Sequence, residues 1–189
     1  HGISVLVQRT AGSIRVKEPG KRKYKNLKKV ESVRVNSLVD TRGGKLEVTA
    51  ATGSYGETTP DNTVVFYDGL VKLRQKRAHN APANVKLAGK LACPGSKPGG
   101  AKAGKASGGP IATTSRKRRR RVWGSGSGNY SSSGSSGTGS VRGTTWLTQD
   151  TCRGTFFKVT DGIGIKVRDF DLRKTVELGP GQSYFARNR

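Results

Sequence analysis

Apolar side chains fall at every second position along much of this chain, in short runs punctuated by Gly, Pro and Asp. That period sets one face of a strand in a core and the other in water. Ile3 to Val7 is a β-branched run and predicts a strand, followed by a turn at Ala11-Gly12-Ser13. A short strand is expected near Tyr24 to Leu27, after the break at Pro19-Gly20. Val33, Val35 and Leu38 lead to Asp40-Thr41-Arg42-Gly43-Gly44, read as a turn into the next strand. There Leu46 and Val48 alternate with Lys45, Glu47 and Thr49. Thr63 to Tyr67 and Leu70 to Leu73 flank Asp68-Gly69, which favours a type I′ hairpin. Further on, strands are expected around Asn129 to Ser133 and over Ser140 to Thr148, the latter carrying Trp146, with a loop at Gln149 to Gly154. Thr155 to Thr160 and Ile163 to Arg168 predict a hairpin over Asp161-Gly162. Thr175 to Leu178 and Ser183 to Ala186 predict a last pair around Gly179-Pro180-Gly181. No capped stretch shows a helical period. The expected class is all-β: an antiparallel sandwich or roll of short strands.

One segment breaks this pattern. Gly95 to Ser115 is built from Gly, Lys, Ala, Ser and Pro with no apolar period, and is expected to be a disordered insert. It runs into Arg116, Lys117, Arg118, Arg119, Arg120 and Arg121, a run that reads either as a solvated linker or as an arm for nucleic acid. The expected organisation is residues 1–92 as the first part of a β domain, 93–121 as the basic insert, and 122–189 as the second part of the same domain.

Composition adds a partner class. Of 189 residues, 36 are Lys or Arg and 12 are Asp or Glu, a formal net charge of +24. Such a field attracts polyanions, whether nucleic acid, teichoic-type or acidic polysaccharide, or an anionic membrane. Composition alone favours nucleic acid. The densest ordered cluster is Lys21, Arg22, Lys23, Lys25, Lys28 and Lys29 around Tyr24. Trp123 follows the arginine run, so Tyr24 and Trp123 are the aromatics placed to stack on a nucleic acid. No run reaches the length of a membrane-spanning helix. The chain opens at His1 and contains no Met, which reads as a processed or trimmed product.

Catalytic chemistry finds little support. His1 and His79 have no Cys, Asp or Glu at ligand spacing, so no metal or other cofactor is expected. Gly124-Ser125-Gly126-Ser127-Gly128 lacks the context of a nucleophile elbow. Asp40, Asp68, Asp150, Asp161, Asp169 and Asp171 fall at turn signals, where aspartate usually accepts hydrogen bonds from its own backbone. Cys93 and Cys152 do not form a CxxC pair. They are either two separate thiols or one disulfide spanning the insert, and we take the disulfide as the expectation. Its loop would be worth about 4 kcal/mol by chain entropy and would fit an oxidising compartment.

These stretches together resemble the FecR-like extracytoplasmic domains. "VDTRGGKLEV", from Val39 to Val48, is similar to a strand leading into a V-D-T-x-x-G turn. "FYDGLVKLRQ" resembles the family's F-x-x-G-x-F-x-V strand pair. "SVRGTTWLTQD", holding Val141, Arg142, Gly143 and Thr144, is similar to its VRGT strand. "GIGIKVRDFDLRKTVELGPGQSYFAR" resembles its closing strands. The likeness covers about residues 2–75 and 122–187; the long insert and the Gly-Pro-Gly before Gln182 depart from the family's pattern. The resemblance implies a β-rich, extracytoplasmic binding or sensing module of bacteria without catalytic residues. Founding members sense iron–siderophore transport and regulate a sigma factor, but only fold and location are carried over here. On this reading the VRGT residues are structural, with Arg142 on the wet face. The basic clusters would contact an anionic envelope polymer or a partner protein. The alternative is a cytosolic nucleic-acid-binding protein with free thiols.

Overall fold

The computed structural model describes residues 3–49, 63–77, 81–93 and 119–188, and every regular element among them is a β-strand. In chain order these are β1 (Ser4–Lys17), β2 (Lys25–Asn26), β3 (Val30–Arg34), β4 (Leu38–Thr49), β5 (Thr63–Tyr67), β6 (Leu70–Arg74), β7 (Ala83–Leu87), β8 (Arg119–Gly126), β9 (Tyr130–Ser133), β10 (Gly137–Thr151), β11 (Gly154–Asp169), β12 (Thr175–Leu178) and β13 (Ser183–Arg187). The expected all-β class holds. All thirteen strands share one hydrogen-bonded sheet.

That sheet is doubled over into two layers, because its long strands serve both. β1 pairs with β4, and β10 with β11, antiparallel along nearly their whole lengths. Each short strand then covers part of a long one. On β1, β3 lies along residues 4–8 and β2 along 15–16. On β4, β6 lies along 38–40 and β5 along 45–49. On β10, β9 lies along 138–141 and β8 along 144–151. On β11, β13 lies along 154–158 and β12 along 165–168. The first layer therefore runs β3-β1-β4-β5-β8-β10-β11-β13. The second runs β2-β1-β4-β6-β7-β9-β10-β11-β12, with β7 parallel to β9. The β5·β8 and β7·β9 pairings join the chain before residue 94 to the chain after residue 118.

Several expected turns are instead bends within strands. Ala11-Gly12-Ser13 stays inside β1, where Gly12 at φ 63° lies opposite Gly44. A Cβ on Gly12 would stand 2.1 Å from the Gly43 carbonyl oxygen, so only glycine fits the kink. The Asp40-to-Gly44 stretch likewise lies inside β4, and Asp161-Gly162 inside β11 opposite Thr145 and Thr144. No hairpin forms over Asp68-Gly69: β5 and β6 follow one another along β4 as one bent strand. β12 and β13 do the same along β11 instead of pairing around Gly179-Pro180-Gly181. Gly and Asp tolerate left-handed backbone, which serves a kink as well as a reversal. The partner strand running past decides between them. β8 also begins at Arg119, earlier than the expected return to order at Val122. Residues 94–118, with the expected disordered insert and with Arg116, Lys117 and Arg118, lie outside the described residues.

The core fills the space between the layers. Phe66 of β5 meets Trp146 of β10 edge to face at 5.9 Å. The Trp146 indole N–H crosses to the Ser132 hydroxyl of β9 at 2.7 Å, and the Tyr130 hydroxyl crosses back to the Val48 carbonyl at 2.7 Å. The Ser/Gly-rich run from 124 to 139, low in complexity as sequence, supplies the space for these rings: the Trp146 indole lies where a side chain on Gly124 would be.

Candidate polyanion interface

The loop from Glu18 to Lys29 runs along the β1 edge of the second layer, anchored by Leu27. Leu27 is buried and donates its backbone N–H to the Ile14 carbonyl at 2.9 Å. With the apolar anchor turned inward, Lys21, Arg22, Lys23, Lys25, Lys28 and Lys29 are all exposed. Lys25 is neutralised by Glu31 and, at 3.0 Å, by Glu18; hydrogen bonds to those carboxylates raise its pKa. Tyr24 is 38 % exposed, and its ring has the Arg15 guanidinium 5.7 Å and the Lys17 ammonium 5.6 Å from its centroid.

Beside this loop two guanidinium groups converge on one buried carboxylate. Arg15 of β1 is the ladder partner of Asp40 of β4, and Arg42 lies two residues further along β4. Asp40 accepts from Arg42 Nε at 2.7 Å, Arg42 Nη2 at 2.6 Å and Arg15 Nη2 at 2.8 Å. The Arg42 hydrogen bonds, opposed by burial and helped by Arg15, hold the Asp40 carboxyl far below the usual carboxylate range. The acid side chain is 6 % exposed, the arginines 55 % and 46 %. One acid thus orients two cations, and their outer faces line an open cleft of about 420 Å³ with Ser13 and Gly43.

The outward residues of the second layer extend this charge. In the ladder, Lys17 lies opposite Leu38, Leu38 opposite Lys72, and Lys72 opposite Lys86. Lys86 lies beside Ser133, Ser133 opposite Thr138, and Thr138 opposite Arg168. These residues alternate with buried neighbours, so all face outward as one transverse row. Across β1-β4-β6-β7-β9-β10-β11 the six strand-to-strand steps span about 29 Å at the usual spacing. Alongside, Asn84 donates to the Ser131 and Ser133 hydroxyls at 2.8 and 2.7 Å. The acids on this face are engaged: Asp40 as above, Glu177 by Lys166 at 2.8 Å.

Of the arginine run, the described Arg119, Arg120 and Arg121 lie on β8 in the first layer and do not join this face. Arg120 binds the fully buried Asp150 through Nη2 at 2.8 Å and the Gly89 carbonyl at 2.6 Å, and Arg121 pairs with Asp68 at 2.6 Å. Arg119 is exposed at the start of β8. Trp123 is half-buried on the outer side of the first layer, stacked on Tyr67 at 6.3 Å, with Lys45 on the other face of that tyrosine. In the VRGT segment Val141 is buried and Gly143, at φ 55°, sits in the bend. The Thr144 hydroxyl donates to the Gly164 carbonyl and accepts from its N–H. Arg142 is part of β10, and its side chain lies outside the described residues.

The aspartates do more than cap turns. Asp161 accepts from Gly162 N–H, and Asp169 from the N–H groups of Asp171 and Leu172, as turn chemistry predicts. Asp40 does both, accepting from the Arg42 N–H at 3.3 Å and holding Arg15 and Arg42, while Asp68 and Asp150 hold arginines. Cys93 and Cys152 form the disulfide, with Cα atoms 5.4 Å apart. Among the described residues no cluster of His, Cys, Asp and Glu could hold a metal ion, and no helix is long and apolar enough to cross a membrane.

Sequence reasoning located the Lys21 to Lys29 loop but not Arg15, Arg42 or the Lys17–Arg168 row. Those cations stand singly in alternating strands, and only the ladder register assembles them. Comparison with protein families, with curated proteins and with solved structures finds no match to this chain.

Proposed function

We propose that this chain is a FecR-like extracytoplasmic β domain of the bacterial envelope, acting without catalysis as a binding module for an anionic polymer or partner protein. The observation that carries the reading is the distribution of charge. The acids of the basic side are bound internally, at Asp40, Glu18 and Glu31, while Lys21, Arg22, Lys23, Lys28 and Lys29 remain on the surface. The Cys93–Cys152 bond supports an oxidising compartment. The motif likeness supports the family, since its V-D-T and VRGT threonines both occupy bends of long strands.

Two measurements on protein recovered from its host test this reading. Peptide maps with and without reductant should show a Cys93–Cys152 linked pair. Titration with uronate and polyol-phosphate polymers should show binding that survives physiological salt. Free thiols in freshly quenched material, together with tighter binding of single-stranded DNA, would replace this reading with the cytosolic nucleic-acid-binding one.

A further inference from the structure

We infer that the outer face of the second layer is the binding track, and that its ligand is an extended acidic polysaccharide lying across the strands along the Lys17–Lys72–Lys86–Arg168 row. This rests on the polyanion reading above and names the surface and the polymer class.

The decisive feature is Lys72 facing Lys86. They are direct ladder partners on adjacent strands, and like charges so placed destabilise a sheet. No acid forms an ion pair with either among the described residues. A cost of this kind without a structural return marks a surface shaped for a partner. Further cations, Lys17 and Arg168, lie in the same row at its two ends. At the β1 end the row reaches Tyr24 and the Arg15–Arg42 cleft, whose cations are held in place by Asp40.

The groups between the cations select the polymer class. Half-buried Ser133, Thr138 and Asn84, hydrogen-bonded to one another and to the buried Ser131, put hydroxyl and amide groups rather than charges on the row between Lys86 and Arg168. A chain with hydroxyls between its charges, such as a uronate polymer, matches that alternation. Single-stranded nucleic acid needs aromatic faces for its bases. The outward residues of the row include no aromatic, and Tyr24 at its end already has Arg15 and Lys17 beside its ring.

The test uses the whole chain with polygalacturonate, a graded series of its oligomers, and poly(dT), at fixed salt. The double variant Lys72→Gln/Lys86→Gln should bind polygalacturonate at least tenfold more weakly. Its plot of log K against log salt should be shallower, because two fewer cations displace counterions from the polymer. Its thermal midpoint should stay level or rise, because the opposed charges are gone. Lys158→Gln/Arg187→Gln, on the first layer, should bind within twofold of the parent. Oligomers shorter than the row, about 29 Å, should bind progressively more weakly, and longer ones should add little. Equal losses in the two double variants would show diffuse attraction and overturn the track. So would parent-like binding by Lys72→Gln/Lys86→Gln, with the general polyanion reading intact. Poly(dT) binding more tightly than polygalacturonate would overturn the polymer class. Failure of the parent chain to bind any polyanion would remove the underlying reading instead.

Discussion

At the residue scale, close fits identify the positions least tolerant of change. Gly124 is one: a Cβ there would stand 2.4 Å from the Trp146 ring, and that indole is held by its bond to Ser132. Gly124→Ala should therefore cost about 1–3 kcal/mol through overpacking, read as a lower denaturant midpoint. Asp40 gives a pH signature. Its pKa is depressed in the fold, so the stability it contributes is complete above the unfolded carboxyl's value, about 4. That stability is lost as pH falls below it toward the folded value. Asp40→Asn should cost about 2 kcal/mol at neutral pH and flatten the acid limb of the stability profile. An unchanged acid limb would mean another carboxylate governs it. Tyr184 reports the alkaline side: burial, then its hydrogen bond to Asp169 at 2.8 Å, pushes its hydroxyl up to about 12. An ultraviolet titration should show a late-ionising component that Tyr184→Phe removes.

At the element scale, the bends are fastened by threonine. The Thr41 hydroxyl donates to the Gly69 carbonyl at 3.0 Å and accepts from Gly69 N–H at 3.1 Å. Thr144 does the same with Gly164 at 2.8 and 2.9 Å. Both sites are buried, so Thr41→Val keeps the shape and leaves a polar backbone group unsatisfied. The expected loss is about 1–3 kcal/mol, with strand content by circular dichroism unchanged. Thr144→Val should match it. Strand existence was legible from period-two alternation in β4, β5, β6, β10 and β11. Their continuity was not, because Gly12, Asp68 and Gly162 carry the same local preference for a turn as for a kink. β9 was legible even inside a Ser/Gly tract, where Tyr130 and Ser132 face the core. The basic loop of the candidate site was visible as a run. The transverse row was invisible, since Lys72, Lys86 and Arg168 are far apart in sequence and meet only through ladder register.

At the scale of the whole molecule, two opposing terms act on the same fold. The formal charge of +24 repels itself. The Cys93–Cys152 bond closes a separation of 59 residues and so restricts the unfolded chain. It fixes the end of the β7 segment to the β10–β11 turn, beside Thr151, which pairs with Arg119 where the chain returns. The β5·β8 and β7·β9 ladders still join the same two parts without it. Cys93→Ser/Cys152→Ser should therefore fold with the same strand content but lose up to about 4 kcal/mol. Because that loss arises in the unfolded chain, it should be nearly independent of salt. The charge term behaves oppositely: raising salt from about 0.01 M to 0.15 M shortens the screening length from about 30 to 8 Å and should stabilise parent and variant alike. Denaturation of both proteins at the two salt concentrations separates the terms. Parallel upward shifts with a constant gap are the expected result. A gap that closes with salt would mean that the disulfide chiefly restrains like-charged parts of the chain, and that charge repulsion rather than loop entropy is what the bond opposes.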